Sequence, residues 1–527
     1  CSFSDFRFSD TQAQRGCTMV DSILAAFQMS INAETLLIVF IGAFYGTIIG
    51  ALPGLGTVVA LTMCLPFTLH MENVPAIALL LAVYCGSVFG GSISAVLINT
   101  PGTPQSAATG MDGYPMAKRG QAGQALGWVT VASVTGGLAS CVVLIVATPQ
   151  MAALSIRYSG PLEICALICL GLACIATLSQ GNQIKGLMMG VFGLLLATVG
   201  NEPVSGMMRF TFGNRGMETG IDMLPLVVGV FPLAEVFYRI YEERSSVKAE
   251  PIDCRTIVFP RLSEWKGRFV GLLRSSGIGI LIGILPGTGP TAATFISYAS
   301  AKRSSKNGAN FGKGEPDGLI AAESANNAVT GGALVPTLAL GIPGDATLAL
   351  LLATFAIHNL TPGVRLMVDF PDVVYASFIT LVIANLMLIP SAILTVRLFG
   401  TLMRIPSPLF IGFILLLSLL GAFISRNLSF DLSVAIVMGL VGFAMRLWDF
   451  PAAAMLIGFV LGPQFEYRLG QVFLFKGELS WLEYFSQNPV GTGLLVITAF
   501  ILLSPIYSAL CRKGGDAATP DAASSEE

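Results

Sequence analysis

A chain of 527 residues that is 54% hydrophobic and only 11% charged has too little polar side-chain surface to coat a soluble globule, so it reads as a multi-pass protein of the lipid bilayer. The formal net charge of -2, with no Lys/Arg run interleaved with aromatics, points away from a nucleic-acid partner. Cys165 and Cys169 have helical spacing, but they lie in an apolar run with only Glu163 nearby, so buried thiols are expected there and no metal or disulfide.

Residues 1–34 read as an N-terminal extension. Cys1–Thr18 lack the apolar core of a signal peptide, and Met19 is the expected start, a lipid-modified Cys1 being the alternative. A first membrane repeat is expected over residues 35–240. It opens with an uncharged run, Thr35 to Leu69, divided by Pro53-Gly54-Leu55-Gly56 and followed at once by Thr57. Proline removes a backbone donor and glycine frees the dihedrals, so a helix unwinds here and restarts. The next apolar run, Ala76 to Ile98, ends in a second break at Asn99-Thr100-Pro101-Gly102-Thr103-Pro104. Further spans are expected at 126–148, 162–178, 184–199 and 221–240. A hydrophilic connector, 241–275, then carries an excess of Lys and Arg and is expected to be cytoplasmic.

The second membrane repeat, 276–511, follows the same plan. Ser276 to Ala301 is an uncharged stretch broken at Pro286-Gly287-Thr288-Gly289-Pro290, and a basic loop with Lys302, Arg303, Lys306 and Lys313 follows it. Two basic loops flanking one short apolar stretch favour a re-entrant hairpin over a single kinked span. The run 319–340 then ends in a break at Gly341-Ile342-Pro343-Gly344-Asp345, and later runs lead to a polar tail at 512–527. Between 46 and 60, eight of fifteen residues recur 233 positions later, including Gly46, Gly50, Pro53, Gly54 and Gly56. Interrupted apolar segments at corresponding places in two halves are the sequence pointer to a secondary transporter's binding site. The expected fold is therefore all-α, with two inverted-topology repeats, broken or re-entrant helices and roughly 12 transmembrane segments.

At each hairpin tip the second half-helix presents free N–H groups and the positive end of its dipole, which suits an anion such as a carboxylate. The candidate substrate-binding residues are Pro53, Gly54, Gly56, Thr57, Asn99, Thr100, Gly102, Thr103, Pro286, Gly287, Thr288, Gly289, Ser324, Asn326 and Asn327. Asp345 and Glu323 are the candidate ion-coupling residues, because intramembrane carboxylates are costly and usually functional. Each also has a plain alternative. Asp345 would serve as an ordinary N-cap, and Glu323 would sit at a helix N-terminus with the Asn pair bridging helices. No catalytic set, phosphate loop or cofactor motif is visible, so neither an enzyme nor a bound cofactor or metal is expected.

Gly46–Gly56, Asn99–Pro104, Gly283–Pro290, Glu323-Ser324-Ala325-Asn326-Asn327 and Gly341–Asp345 together resemble the TctA family, the large membrane subunit of tripartite tricarboxylate transporters. The resemblance implies a multi-pass permease of the bacterial inner membrane that works with a small membrane subunit and a periplasmic solute-binding protein. It further implies import of citrate or related carboxylates driven by a sodium or proton gradient. An anion-selective channel is the first rival and a membrane-embedded enzyme the second.

Overall fold

The computed structural model describes residues 11–157, 160–178, 183–202, 206–242, 252, 254–285 and 289–515. The first half of the chain forms α1 (Thr11–Ser30), α2 (Ala33–Ala51), α3 (Gly56–Thr68), α4 (Asn73–Ile98), a 3-10 turn (Pro104–Ser106), α5 (Ala107–Met116), α6 (Ala122–Arg157), α7 (Pro161–Leu178) and α8 (Gln183–Ala197). A two-residue ribbon follows, pairing Gly200 with Arg209 and Asn201 with Met208, and it is the one sheet among the described residues. After it come α9 (Arg215–Glu218), α10 (Met223–Val228) and α11 (Ala234–Glu242), the last two joined through a π turn at Gly229–Leu233.

The second half forms α12 (Phe269–Ile284), α13 (Gly289–Ser304), α14 (Pro316–Leu340), α15 (Ala346–Ile357), α16 (Val364–Asp369), α17 (Pro371–Leu402), α18 (Ser407–Ile424), α19 (Ser429–Leu447), α20 (Ala452–Lys476), α21 (Trp481–Gln487) and α22 (Pro489–Gly515). The protein is thus an all-α membrane protein. Three of the expected breaks fall between helices, at 52–55, 99–103 and 341–345, and most of the fourth, Pro286–Thr288, lies outside the described residues. By length and composition, six described helical stretches can cross a membrane, or up to seven if the bent pair α21–α22 counts as one span. Shorter apolar helices accompany them, among them α3, α12 and α15.

Close helix contact rests on glycine. Gly42, Gly46 and Gly50 stand one turn apart on α2, and a Cβ on Gly42 would lie 2.9 Å from the Leu79 carbonyl of α4. In the second half a Cβ on Gly279 would lie 2.5 Å, and one on Gly283 2.9 Å, from the Ala325 and Val329 carbonyls of α14. Small residues let backbones meet where lipid provides no hydrophobic drive between helices. Gly46 and Gly50 of the recurring phrase, like their partners Gly279 and Gly283, are therefore packing residues. Only the glycines after the proline belong to the tips.

The two halves also interlock. The first half's α6 packs on α14 and the second half's α17 on α4, while α8 packs on α20 and α19 on the π turn. A buried carboxylate ties one of these crossings. Asp112 of α5 is fully buried, and its Oδ1 accepts the backbone N–H groups of Gly312 and Gly314 at 2.8 Å and of Glu315 at 2.9 Å. Its Oδ2 accepts the Tyr298 hydroxyl at 2.8 Å. One side chain thus replaces water for the loop that enters α14.

Removing that side chain orphans four donors, the three N–H groups and the Tyr298 hydroxyl, each worth roughly 1–3 kcal/mol when left unpaired. Asp112→Ala is expected to lower the melting temperature of the detergent-solubilised protein by about 5 °C or more. Asp112→Asn keeps one acceptor oxygen and should lose less, which a thermal-shift comparison of the two variants checks.

Candidate functional site

The polar centre lies where α4 meets α14. Tyr84, Val88 and Ser92 stand four residues apart on one face of α4, a strip of about 12 Å at 1.5 Å per residue. The Tyr84 hydroxyl donates to Asp345 Oδ2 at 3.4 Å, the Val88 carbonyl accepts from Asn326 Nδ2 at 3.4 Å, and the Ser92 hydroxyl donates to Glu323 Oε1. One helix of the first half therefore touches both candidate ion-coupling residues of the second.

Glu323 is fully buried, and Thr109 of α5 donates a second hydroxyl hydrogen to its Oε1. Asn326 Nδ2 lies 3.5 Å from the same oxygen. Glu323 Oε2, Asn326 Oδ1 and the Ser133 hydroxyl of α6 have no hydrogen-bond partner among the described residues. A carboxylate with only neutral donors, beside further unpaired oxygens and no basic partner among the described residues, has the ligand chemistry of a hard cation or a proton. Glu323 sits in the third turn of α14, too far along to be an N-terminal cap.

Asp345 takes the capping role foreseen for it. Its Oδ1 accepts from Leu348 N at 2.9 Å, which satisfies an orphan donor of α15. Its second oxygen remains with Tyr84. Asn327 faces elsewhere: Nδ2 donates to Asn385 Oδ1 of α17 at 3.0 Å and to the Ser133 carbonyl at 3.2 Å. Asn385 in turn lies against Cys85 and Cys141, at 3.9 and 3.7 Å. Ser324 donates to the Ile320 carbonyl of its own helix at 2.6 Å.

The breaks differ in exposure. Asn99, in the left-handed region at φ 54, and Thr100 are exposed, and Asn99 lines a surface cavity of about 220 Å³ with Pro101, Met111 and Tyr114. Gly102 and Thr103 are buried, Gly102 N donating to the Gly91 carbonyl at 3.2 Å, next to Ser92. At the first hairpin tip Gly54 (φ 84) is exposed, Gly56 (φ 68) has open space where a Cβ would stand, and the Pro53 carbonyl accepts from Arg239 at 2.7 Å. The Thr57 hydroxyl is buried without a partner among the described residues. Gly289 (φ 72) opens α13, while Pro286, Gly287 and Thr288 lie outside the described residues.

Counterparts 242 positions apart make like contacts. Gly102 meets Gly91 as Gly344 meets Ala333, and Asn99 and Gly341 both end their helices left-handed. By the same spacing Glu323, Ser92 and Thr109 correspond to Leu81, Leu334 and Leu351. Those leucines meet in one packed apolar cluster between α4, α14 and α15. The polar cluster has an apolar twin.

Sequence reasoning missed Tyr84, Ser92, Thr109, Asn385 and Arg239. Serines and threonines inside apolar runs are common, so only the spacing of Tyr84 and Ser92 on a helix face carried a signal.

The model of the family described as the tripartite tricarboxylate transporter TctA family matches residues 36–457. A protein of Agrobacterium vitis named "Uncharacterized 52.8 kDa protein in TAR-I ttuC' 3'region" is 32% identical over 482 residues, 91% of this chain and 94% of that one. A second from the same organism, "Uncharacterized protein in TAR-II ttuC' 3'region", is 33% identical over 218 residues, 41% of this chain and 89% of its own length. No solved structure matches.

The Asn327–Asn385 contact yields a double-mutant test. Each single change to Ala leaves one buried amide partly unpaired, whereas the double change leaves neither amide behind. The melting-temperature losses are expected to be less than additive, with a coupling of about 1 kcal/mol.

Proposed function

The chain belongs to the tripartite tricarboxylate transporter TctA family, and on that premise we propose that it is an ion-gradient-driven secondary transporter of carboxylates, citrate-like tricarboxylates first among them. It imports them across the bacterial inner membrane, handed over by a periplasmic solute-binding protein and accompanied by a small membrane subunit. The observation that carries the reading is Glu323, a buried carboxylate without a basic partner among the described residues, set among broken helices.

Moving a carboxylate inward against a negative-inside potential costs about 2.3 kcal/mol per charge per 100 mV, so accumulation of a multivalent anion needs co-transported cations. Glu323 and Asp345 supply the charge for a sodium ion or a proton, and Ser92, Thr109, Ser133 and Asn326 supply neutral oxygens. The glycine tips at 53–57 and 286–289 receive substrate carboxylates on free N–H groups, with the breaks at 99–103 and Ser324–Asn327 nearby in the permeation path. The two halves, 35–240 and 276–511, are inverted repeats of roughly 12 segments joined by a cytoplasmic connector, 241–275. Alternating access fits such halves better than an open channel, and no nucleophile–base set supports an enzyme.

Cysteine-accessibility mapping in intact cells is expected to place residues 302–314 and the connector on the cytoplasmic side and the His70–Asn73 turn on the periplasmic side. Finding all three on one side would sink the inverted arrangement.

Uptake of labelled citrate into vesicles holding the complete system, with and without a sodium or proton gradient, tests the function itself. Counterflow separates a carrier from a channel, which shows no trans-stimulation. Asp345→Asn keeps the cap and removes the charge, and Glu323→Gln keeps an oxygen for Ser92 and Thr109. At least one of the two should bring the accumulation ratio down toward one while counterflow persists. Undiminished gradient-driven accumulation in both variants would remove these carboxylates from coupling.

A further inference from the structure

At the first hairpin tip the protein places a charge that the glycine phrase alone does not announce. Arg239, near the end of α11, donates through Nη2 to the Pro53 carbonyl at 2.7 Å and through Nε to Glu235 Oε1 at 2.6 Å. A Cβ on Gly54 would stand 3.0 Å from the same Nη2, so the guanidinium lies directly against the tip glycine. Glu235 is 4% exposed and also accepts from Arg446 of α19, whose guanidinium stacks on the Tyr238 ring at 3.7 Å. Two arginines thus share one carboxylate, and the group carries one excess positive charge. Nη1 of Arg239 has no hydrogen-bond partner among the described residues, and the side chain is 24% exposed.

The tip beside it is built to be filled. Leu55 stands at the N-cap of α3, where its side chain cannot accept a hydrogen bond, so the first N–H groups of this 13-residue helix go uncapped. Thr57, 7% exposed, adds a buried hydroxyl without a partner among the described residues. Open backbone lies between them at Gly56. Free N–H groups, an orphan hydroxyl, the positive end of a helix and a guanidinium with a spare edge all favour the same ligand, an anion with planar, paired oxygens.

We infer that Arg239 is a substrate-binding residue, and that a carboxylate group of the substrate docks between its guanidinium and the N-terminus of α3, with Glu235 and Arg446 holding the guanidinium in place. This rests on the reading of the chain as a carboxylate transporter and adds to it a basic side chain at the site. Glu235 keeps Arg239 from being an unpaired charge when the site is empty, and Arg446 keeps Glu235 from cancelling it. The Tyr238-Arg239 pair recurs as Tyr467-Arg468 on α20, but there Gln464 replaces the glutamate and Arg468 donates to Gln471 at 2.9 Å. Among the described residues, the charged anchor stands at the first tip.

The test is citrate counterflow in proteoliposomes holding the complete complex, with citrate varied on the face that carries the connector, away from the solute-binding protein. Loss of a charge-assisted contact should raise the half-saturating concentration about ten- to a hundredfold in Arg239→Gln, and Arg239→Lys should recover much of it. Phenylglyoxal labelling of the wild-type complex, read at the Arg239 peptide by mass spectrometry, serves should the Gln variant fail to reach the membrane. Citrate should slow labelling there, and chloride at equal ionic strength should not. Unchanged half-saturation in Arg239→Gln, or labelling of Arg239 indifferent to saturating citrate, would overturn the assignment and leave Arg239 a latch on Pro53. A wild-type complex with no saturable flux of any di- or tricarboxylate would instead overturn the reading beneath it, and the two failures are distinguishable.

Discussion

The governing constraint is that a helix broken within the bilayer frees backbone groups that only protein can satisfy. Apart from the start of α3, the described breaks meet it locally. Leu52 N returns to the Ile49 carbonyl at 3.1 Å before the first tip, and Gly102 N reaches the Gly91 carbonyl at 3.2 Å at the next break. In the second half Asp345 caps α15, and the Thr337 hydroxyl reaches the Ile342 carbonyl at 3.3 Å. The tip before α3 departs from the rule, because Leu55 provides no cap and Arg239 supplies a donor where acceptors are scarce. On the proposed reading, an incoming anion completes this arrangement on its positive side.

The same constraint explains the uneven sharing of charge between the halves. Shape repeats, since Gly90 and Gly332, Gly102 and Gly344, and the left-handed Asn99 and Gly341 occupy matching places. Chemistry does not repeat. Where Glu323, Ser92 and Thr109 form a polar cluster, Leu81, Leu334 and Leu351 fill the counterpart with hydrocarbon. A buried carboxylate loses several kcal/mol of hydration unless it is paired or neutralised, so one such site costs far less than two. The apolar twin keeps the packing geometry and leaves the charge-bearing role to a single place.

These relations explain which parts of the site were legible in the sequence. The breaks at Pro53, Pro101 and Pro343 were readable because proline and glycine act on the backbone itself, whatever surrounds them. Glu323 and Asp345 stood out because charge inside apolar runs is rare. Asp112 and Arg239 did not, since each lies near the end of its helix beside a polar segment, where charge is ordinary; only tertiary contact with Gly314 or Pro53 sets them apart. The recurring glycines carried two meanings that sequence could not separate. Gly46 and Gly50 touch α4, whereas Gly54 and Gly56 shape the tip. Asn385 was hidden by its apolar neighbours, and its role rests on Asn327 lying opposite.

Packing also connects the tip to the buried carboxylate. Gly50, just before the first break, lies against Gly102, and a Cβ on Gly102 would stand 3.0 Å from the Cα of Gly91. Ser92 is the next residue, and its hydroxyl is on Glu323. The path from Pro53 to Glu323 thus runs through three glycines in backbone contact, with no side chain able to absorb a shift by changing rotamer. On the proposed reading, a carboxylate that docks between Arg239 and the start of α3 alters the hairpin at one end of this path, and a cation that recruits the Glu323 oxygens alters Ser92 at the other. Each ligand then favours the arrangement the other needs only if the glycine contact has two settings that both sites bias. Backbone-on-backbone contact suits that role, because it can slide by a fraction of a turn without losing buried side-chain area.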